Sequence, residues 1–181
     1  PFMLLLLSGG HCQILSVSGV GEYKLLGQTL DDALGEAYDK VAKMLNLGYP
    51  GGPIVEQKAL GGNRHRFDFP LPLRGRKGCD FSFSGLKTAV KRQVDELGEL
   101  SEQDIADICS SFEFCVGKIL TDRLKNAFFE YNKVQSDGKT LVLAGGVAAN
   151  KYIRQILEAV ASENGFKLIA PPMNLCTDNG A

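Results

Sequence analysis

The sequence predicts an α/β fold, with a mixed β-sheet flanked by helices. Three observations carry that expectation. Short apolar and β-branched segments separated by glycines open the chain, and its middle changes to a 3.6-residue apolar period. Near its end, Leu141-Val142-Leu143 is apolar without alternation, the pattern of a strand covered on both faces. At 181 residues, 44% hydrophobic and 23% charged, the chain can bury a real core and lies outside the disordered class.

Residues 2–7 form a continuous apolar run, predicted as the first strand. After Ser8-Gly9-Gly10, the segment Cys12 to Val17 alternates weakly, and Gly19 and Gly21 break the chain before a third strand, Tyr23 to Leu26. From Asp31 the period is helical: Leu34, Tyr38, Val41 and Leu45 share a face, Thr29 and Asp32 form a capping pattern, and Gly48 is a natural stop, so a helix over 31–47 is predicted. A short helix is expected over Ile54 to Leu60, then an irregular or hairpin excursion over 61–83. Ser84 to Leu97 carries one apolar face. Ser101 with Asp104 should cap the longest helix, whose apolar period runs from Ile105 to about Tyr131. A strand-helix-strand unit closes the chain: Thr140 to Ala144, a helix from about Asn150 to Asn164, and Lys167 to Ala170. Three meandering strands, several helices, then two strands separated by a helix is the element order of a ribonuclease-H-like domain.

Charge and cysteine content exclude several classes. The net charge is −1, yet between Lys58 and Arg92 there are nine basic residues against two acidic ones, a local +7. That stretch, with Phe67, Phe69, Phe81 and Phe83, reads either as a docking surface for RNA or as a solvated face with its phenylalanines in the core. Five scattered cysteines without a CxxC pair read as reduced thiols of a cytoplasmic protein. The opening PFMLLLLSGGHC lacks a basic leader region and places His11 before Cys12, so it does not read as a secretion signal. No apolar run approaches the roughly 20 residues of a membrane span. His11 and His65 are the only histidines, and neither an HExxH motif nor a GxSxG elbow is present, which removes self-contained metalloprotease and serine-hydrolase sites. The start at Pro1 and the stop just after CTDNGA lead to the expectation of a piece of a longer polypeptide.

Two glycine pairs follow apolar strands directly: Leu6-Leu7-Ser8-Gly9-Gly10 and Leu143-Ala144-Gly145-Gly146. Each is either a plain turn or a loop whose N–H groups face an anion, the second reinforced by the helix that follows it. Asp39 lies on the polar side of the 31–47 helix, four residues after Gly35, where it could accept hydrogen bonds from ribose hydroxyls. Asn150 is a cap or a ligand group, and Asp178 a cap or a hard oxygen donor for a cation.

Taken in order, LLSGGHCQI, GQTLDDALGEAYDKVAKMLNLGYPGGP, DFSFSGLKTAV, LAGGVAAN and CTDNGA resemble one family over nearly the whole chain: the tRNA threonylcarbamoyladenosine transferases, TsaD in bacteria, formerly called glycoproteases. The resemblance implies one ribonuclease-H-like lobe of the actin-like ATPase (ASKHA) architecture over 1–181, with 171–181 leading back toward a first lobe that this chain lacks. It implies transfer of a threonylcarbamoyl group from threonylcarbamoyl-adenylate to N6 of the adenosine beside the anticodon of tRNAs that read ANN codons, aided by accessory proteins of that pathway. Leu6, Leu7, Ser8, Gly9 and Gly10 would line the phosphate side of an adenylate or ATP-type ligand. Asp39, Gly52 and Asn150 would bind the same ligand, and Asp178 would hold one divalent metal, Fe2+ ahead of Zn2+. No catalytic base is implied.

The family's HxxxH metal pair has no counterpart here and would lie upstream of Pro1. The chain alone is therefore expected to hold little metal and to be inactive in transfer. Two alternatives stand beside the enzyme: a non-catalytic nucleotide- or partner-binding lobe, and an acetate- or sugar-kinase-like protein on the same fold. The old peptidase label has no support in the residues.

Overall fold

The computed structural model of the chain describes residues 1–135 and 137–172. Strands β1 (Phe2–Leu7), β2 (Cys12–Gly19) and β3 (Glu22–Gln28) form an antiparallel meander. On its other side β1 pairs in parallel with β4 (Thr140–Ala144), which pairs in parallel with β5 (Lys167–Ile169), so the sheet order is β3-β2-β1-β4-β5. The mixed sheet of the sequence expectation is thus present. Its apolar strands are covered unequally, however. Met3, Leu5, Leu7, Leu141 and Leu143 are buried, while Leu4, Leu6 and Val142 on the opposite face are only half-buried. Unbroken hydrophobicity overstated the coverage of that second face.

Helix α1 (Leu34–Met44) starts three residues later than the period suggested: Asp31 serves another element, and Asp32 pairs with both α1 and the later helix that carries Lys87. Asp31 accepts hydrogen bonds from the Ser82 hydroxyl and the N–H groups of Phe83 and Ser84, so it caps α3 (Ser84–Leu97) across the fold. Burial works to raise the Asp31 pKa, but these hydrogen bonds outweigh it and hold the carboxyl below its ordinary value. Asp32 pairs with Lys40 and Lys87, while the Thr29 hydroxyl donates to the Asp32 carbonyl rather than to a helix end. The capping pattern expected of Thr29 and Asp32 is therefore not the one formed.

Helix α2 runs over Gly51–Ala59 and α5 over Lys151–Glu163. Helix α4 (Glu102–Val134) opens with the expected capping box, in which the Ser101 side chain accepts from Asp104 N–H and the Asp104 carboxylate from Ser101 N–H. At 1.5 Å per residue its 33 residues extend about 50 Å, long enough to underlie most of the fold. Ile108, Phe112, Val116, Ile119, Leu120 and Leu124 form its buried stripe. The irregular 61–83 segment docks on this helix. Arg66 pairs with Asp104 and Asp107, and the buried Arg123 donates to the carbonyls of Arg76 and Gly78. Phe69, Phe81 and Phe83 are buried, and Phe67 is half-buried and stacked on Phe69, so the phenylalanines of the basic stretch belong to the core.

Candidate functional site

Both glycine pairs sit at the carboxyl end of adjacent parallel strands, β1 and β4, at the centre of the sheet. Ligands of open α/β sheets bind outside that edge, where neighbouring strands lead away in different directions. The loop after β1 folds on Ser8, whose Oγ accepts the N–H groups of His11 at 2.9 Å and Gly10 at 3.3 Å. Gly9 and Gly10 are exposed, a Cβ on either would meet nothing within 4 Å, and the Gly9 N–H has no partner among the described residues. Gly145 is different: its φ is +95°, and a Cβ there would strike the Leu7 carbonyl. It lets β4 turn against the end of β1.

Helix α1 approaches the same loop. Gly35 N–H donates to the Ser8 carbonyl at 3.1 Å, and a Cβ on Gly35 would lie 2.8 Å from Gly9 Cα. The absent side chain at Gly35 therefore makes room for the loop rather than for Asp39. Asp39 lies one turn further, about 6 Å along the axis. Its Oδ1 accepts from Gly51 N–H at 2.8 Å, so it anchors the start of α2, and it faces an open hollow with Lys40, Lys43 and Tyr49. Gly51 is closely packed on α1, whereas Gly52 next to it is open on the surface.

Asn150 is buried. Its Oδ1 caps α5 by accepting from Ile153 N–H at 2.8 Å, and its Nδ2 donates to Glu113 Oε1 at 2.8 Å. Glu113 also accepts from the Tyr38 hydroxyl at 3.1 Å, which joins α1, α4 and α5 through one carboxyl group. Burial pushes the Glu113 carboxyl above its ordinary value, against the lowering effect of Asn150 and Tyr38, with nearby Glu56 adding to the rise. Burial together with Glu113 likewise keeps the Tyr38 phenol protonated and able to donate. Glu113 forms part of the wall of a hollow of about 530 Å³ between α2, α4 and α5, with Glu56, Arg64, Lys151 and Tyr152. Glu56 accepts from Lys151 N–H at 2.7 Å and ties α2 to the N-terminal end of α5.

The candidates of the sequence are linked through α1 rather than gathered in one hollow. Leu6 and Leu7 end β1, Ser8, Gly9 and Gly10 form the exposed loop, Asp39 and Gly52 adjoin through the start of α2, and Asn150 anchors α5 from within. Asp178 lies outside the described residues. Glu113 and Glu56 escaped the sequence reading. Glu113 carried a signal, since it falls on the apolar stripe of α4 with Cys109, Val116 and Leu120, a position where a carboxylate needs a reason. Among the described residues no group of three or more His, Cys, Asp or Glu could hold a metal ion. Cys12, Cys79, Cys109 and Cys115 are free and buried, and burial pushes each thiol up, which leaves them as core residues.

A five-stranded mixed sheet with helices on it, and with two glycine loops meeting at the carboxyl ends of its central parallel strands, defines a ribonuclease-H-like lobe of the actin-like ATPase class. The crystal structure of full-length HypF in its phosphate- and nucleotide-bound form superimposes with a TM-score of 0.61 over 94% of this chain and 30% of that one, at 10% identity, a likeness of fold. Within that class the chain belongs to the TsaD family, tRNA N6-adenosine threonylcarbamoyltransferase, whose model matches residues 1–181. It is 51% identical over 183 residues to the tRNA N6-adenosine threonylcarbamoyltransferase of Rickettsia rickettsii (strain Sheila Smith), covering all of this chain and 53% of that protein. It is 54% identical over 183 residues to the protein of the same name from Brucella anthropi, covering all of this chain and 51% of the relative, and 53% identical over 180 residues to that of Anaplasma marginale (strain St. Maries). The chain spans about half the length of the curated relatives it matches.

Proposed function

We propose that this chain is the adenylate-binding lobe of an enzyme that transfers a threonylcarbamoyl group from threonylcarbamoyl-adenylate to N6 of the adenosine beside the anticodon of tRNAs reading ANN codons. The observation that carries the proposal is the convergence, at the carboxyl ends of β1 and β4, of an unobstructed glycine loop, the Gly145 turn and the start of α1, one turn beyond which Asp39 faces an open hollow. In this reading the exposed Ser8–Gly10 loop takes the phosphoryl group through backbone N–H donors. Asp39, already held by Gly51 through one oxygen, offers the other to a ribose hydroxyl. Gly52 leaves room for the ligand beside it, and the Asn150–Glu113 pair fixes the N-terminal end of α5 that the nucleoside would meet.

The nucleophile is the tRNA amine, and the leaving group is the adenylate phosphate. The lobe contributes orientation of the donor and stabilisation of charge on that phosphate. The family's metal, Fe2+ ahead of Zn2+ in our proposal, would act as a Lewis acid with Asp178 as its one ligand from this chain. Among the described residues no three His, Cys, Asp or Glu side chains come together to hold it. Accessory proteins of the threonylcarbamoyladenosine pathway and a cytoplasmic location complete the proposal. Among the described residues no helix is long and apolar enough to cross a membrane.

The test is calorimetric titration of the chain with a non-hydrolysable threonylcarbamoyl-adenylate analogue, alongside acetate and a hexose. Saturable binding of the adenylate alone is expected. Binding of acetate or sugar in its place would move the chain to the kinase-like reading, and binding of none of the three would remove the proposed site.

A further inference from the structure

The fold sorts the basic stretch into two sets. Lys58, Arg66, Lys87, Lys91 and Arg92 form ion pairs with Glu102, Asp104 and Asp107, Asp32, Asp95 and Glu96. Arg64, Arg74, Arg76 and Lys77 are exposed and form no ion pair among the described residues. Arg64 and Arg74 lie along α4 with Lys118 and Lys125, and the loop that carries Arg76 and Lys77 is bound to the same helix through its carbonyls.

The order along the helix is definite. Arg64 lies 5.8 Å and Lys118 4.1 Å from the Phe114 ring. Arg74, Lys118 and Lys125 then surround a second hollow of about 270 Å³. Arg76 and Lys77 come next, their loop pinned to α4 because Asn126 and Arg123 both donate to the carbonyls of Arg76 and Gly78. From Phe114 to Lys125 the row covers about 16 Å, the length of four or five nucleotides at about 3.4 Å each. Acidic groups stand beside it: Asp122, paired with the buried Arg123, lines the second hollow, Glu163 pairs with Lys125 at 3.6 Å, and Glu56 and Glu113 share the larger hollow with Arg64. Phe114 and Tyr152 line both hollows, so the row ends at the mouth of the larger one. Gly117 permits this, since a Cβ there would lie 3.1 Å from the Tyr152 hydroxyl.

We propose that this outward ridge of α4, from Arg64 and Phe114 to Lys77 and Lys125, takes the phosphate backbone of the acceptor RNA, with Phe114 as a stacking platform for an unpaired base. The assignment rests on the proposed function for the kind of polyanion. It rests on the geometry for the place: cations in a line, of which only Lys125 has an ion pair among the described residues, held on a rigid helix and a pinned loop and running to a half-exposed aromatic at the rim of the larger hollow. An acidic protein partner would instead call for an apolar centre in the contact, and the row has charge along its whole length.

The test measures binding of an unmodified transcript of an ANN-reading tRNA to the chain across 50 to 200 mM salt. The triple variant Arg64→Gln/Arg74→Gln/Lys118→Gln is compared with a control triple, Lys91→Gln/Arg92→Gln/Lys133→Gln. The row variant should lose at least tenfold in affinity at low salt, with a log–log salt slope shallower by about 2 to 3, while the control keeps both. Equal affinity and slope for wild type and row variant would overturn the proposal, and so would wild-type binding of poly-glutamate as tight as that of tRNA. Titration with the adenylate analogue separates this inference from the reading beneath it. Adenylate binding with tRNA indifferent to the row removes the row and keeps the function, and tRNA binding through the row without adenylate binding does the reverse.

Discussion

Ser8-Gly9-Gly10 closes β1 and Gly145-Gly146 closes β4, side by side at one sheet edge, yet the two loops use glycine for opposite reasons. At Gly9 and Gly10 a methyl group would meet nothing within 4 Å among the described residues, whereas at Gly145 it would strike the Leu7 carbonyl on a backbone whose φ is already +95°. The second loop needs glycine in order to fold. The first needs it only if something else has to come close, because neither packing nor backbone conformation demands it. A glycine that the fold does not require, on an exposed loop at a strand end, is the stronger pointer to a ligand, and Gly35 reinforces it by keeping α1 clear of that same loop.

The sharpest way to break this contrast is Gly145→Ala. An L-residue held at φ +95° and ψ 165°, a region populated essentially by glycine, costs about 1–3 kcal/mol, and forcing the contact with Leu7 adds about 1–3 kcal/mol, so a loss of about 3 kcal/mol is expected. For a chain of this size that is a fall in Tm of about 6 to 12 °C, measurable by thermal unfolding. A loss below about 1 kcal/mol would mean that both pairs are ordinary turns. Gly35→Ala comes next. Alanine improves helix propensity by about 1 kcal/mol, but a Cβ 2.8 Å from Gly9 Cα must displace the loop, so a net loss of about 1 kcal/mol is expected. A gain in stability there would show that the loop yields freely and is not held by α1.

Much of this was legible in the sequence because periodicity and cap chemistry are local. The Ser101–Asp104 capping box, the helix over Ser84–Leu97 and the glycine ends of β1 and β4 follow from residues a few positions apart. What failed to show was set by distant partners. Asp31 and Asp32 look like the first turn of α1, but one is taken by the start of α3 and the other by Lys40 and Lys87, more than fifty residues of chain folding back in the case of Lys87. The local +7 could not reveal which cations were already paired, since Arg66 meets Asp104 and Asp107 only once 61–83 lies on α4. Asn150 read as either cap or ligand group, and in the fold it caps α5 while its amide is held by Glu113, a partner 37 positions away.

Gly10→Ala probes the other side of the contrast. Nothing lies within 4 Å of a Cβ there, so stability should change by no more than about 0.5 kcal/mol. A methyl group projecting where the phosphoryl group would sit should cost about 1.4 kcal/mol of adenylate-analogue affinity, a tenfold rise in Kd by calorimetry. If stability falls as far as in Gly145→Ala, the open loop is structural after all. If neither quantity moves, the loop is a turn with no ligand beside it.

The smallest effect belongs to the anchor that only the second loop has. Past Gly146 the chain reaches Asn150, whose amide is held by Glu113, and among the described residues no buried acid plays that part for Ser8–Gly10. Because burial raises the Glu113 pKa in the folded state, its favourable contribution is complete below the unfolded carboxylate range and is lost as pH rises through the higher folded value. Glu113→Gln keeps an acceptor for Asn150 and Tyr38 but has no charge to bury. Urea unfolding of both proteins from roughly pH 4 to 8 should therefore show wild type losing stability relative to the variant as pH rises, by under about 1 kcal/mol. A difference that stays constant across that range would mean that Glu113 does not change its protonation on folding. Asn150 would then be held by an ordinary ionised carboxylate, and the rigidity of the second loop would come from the packing of Gly145 alone.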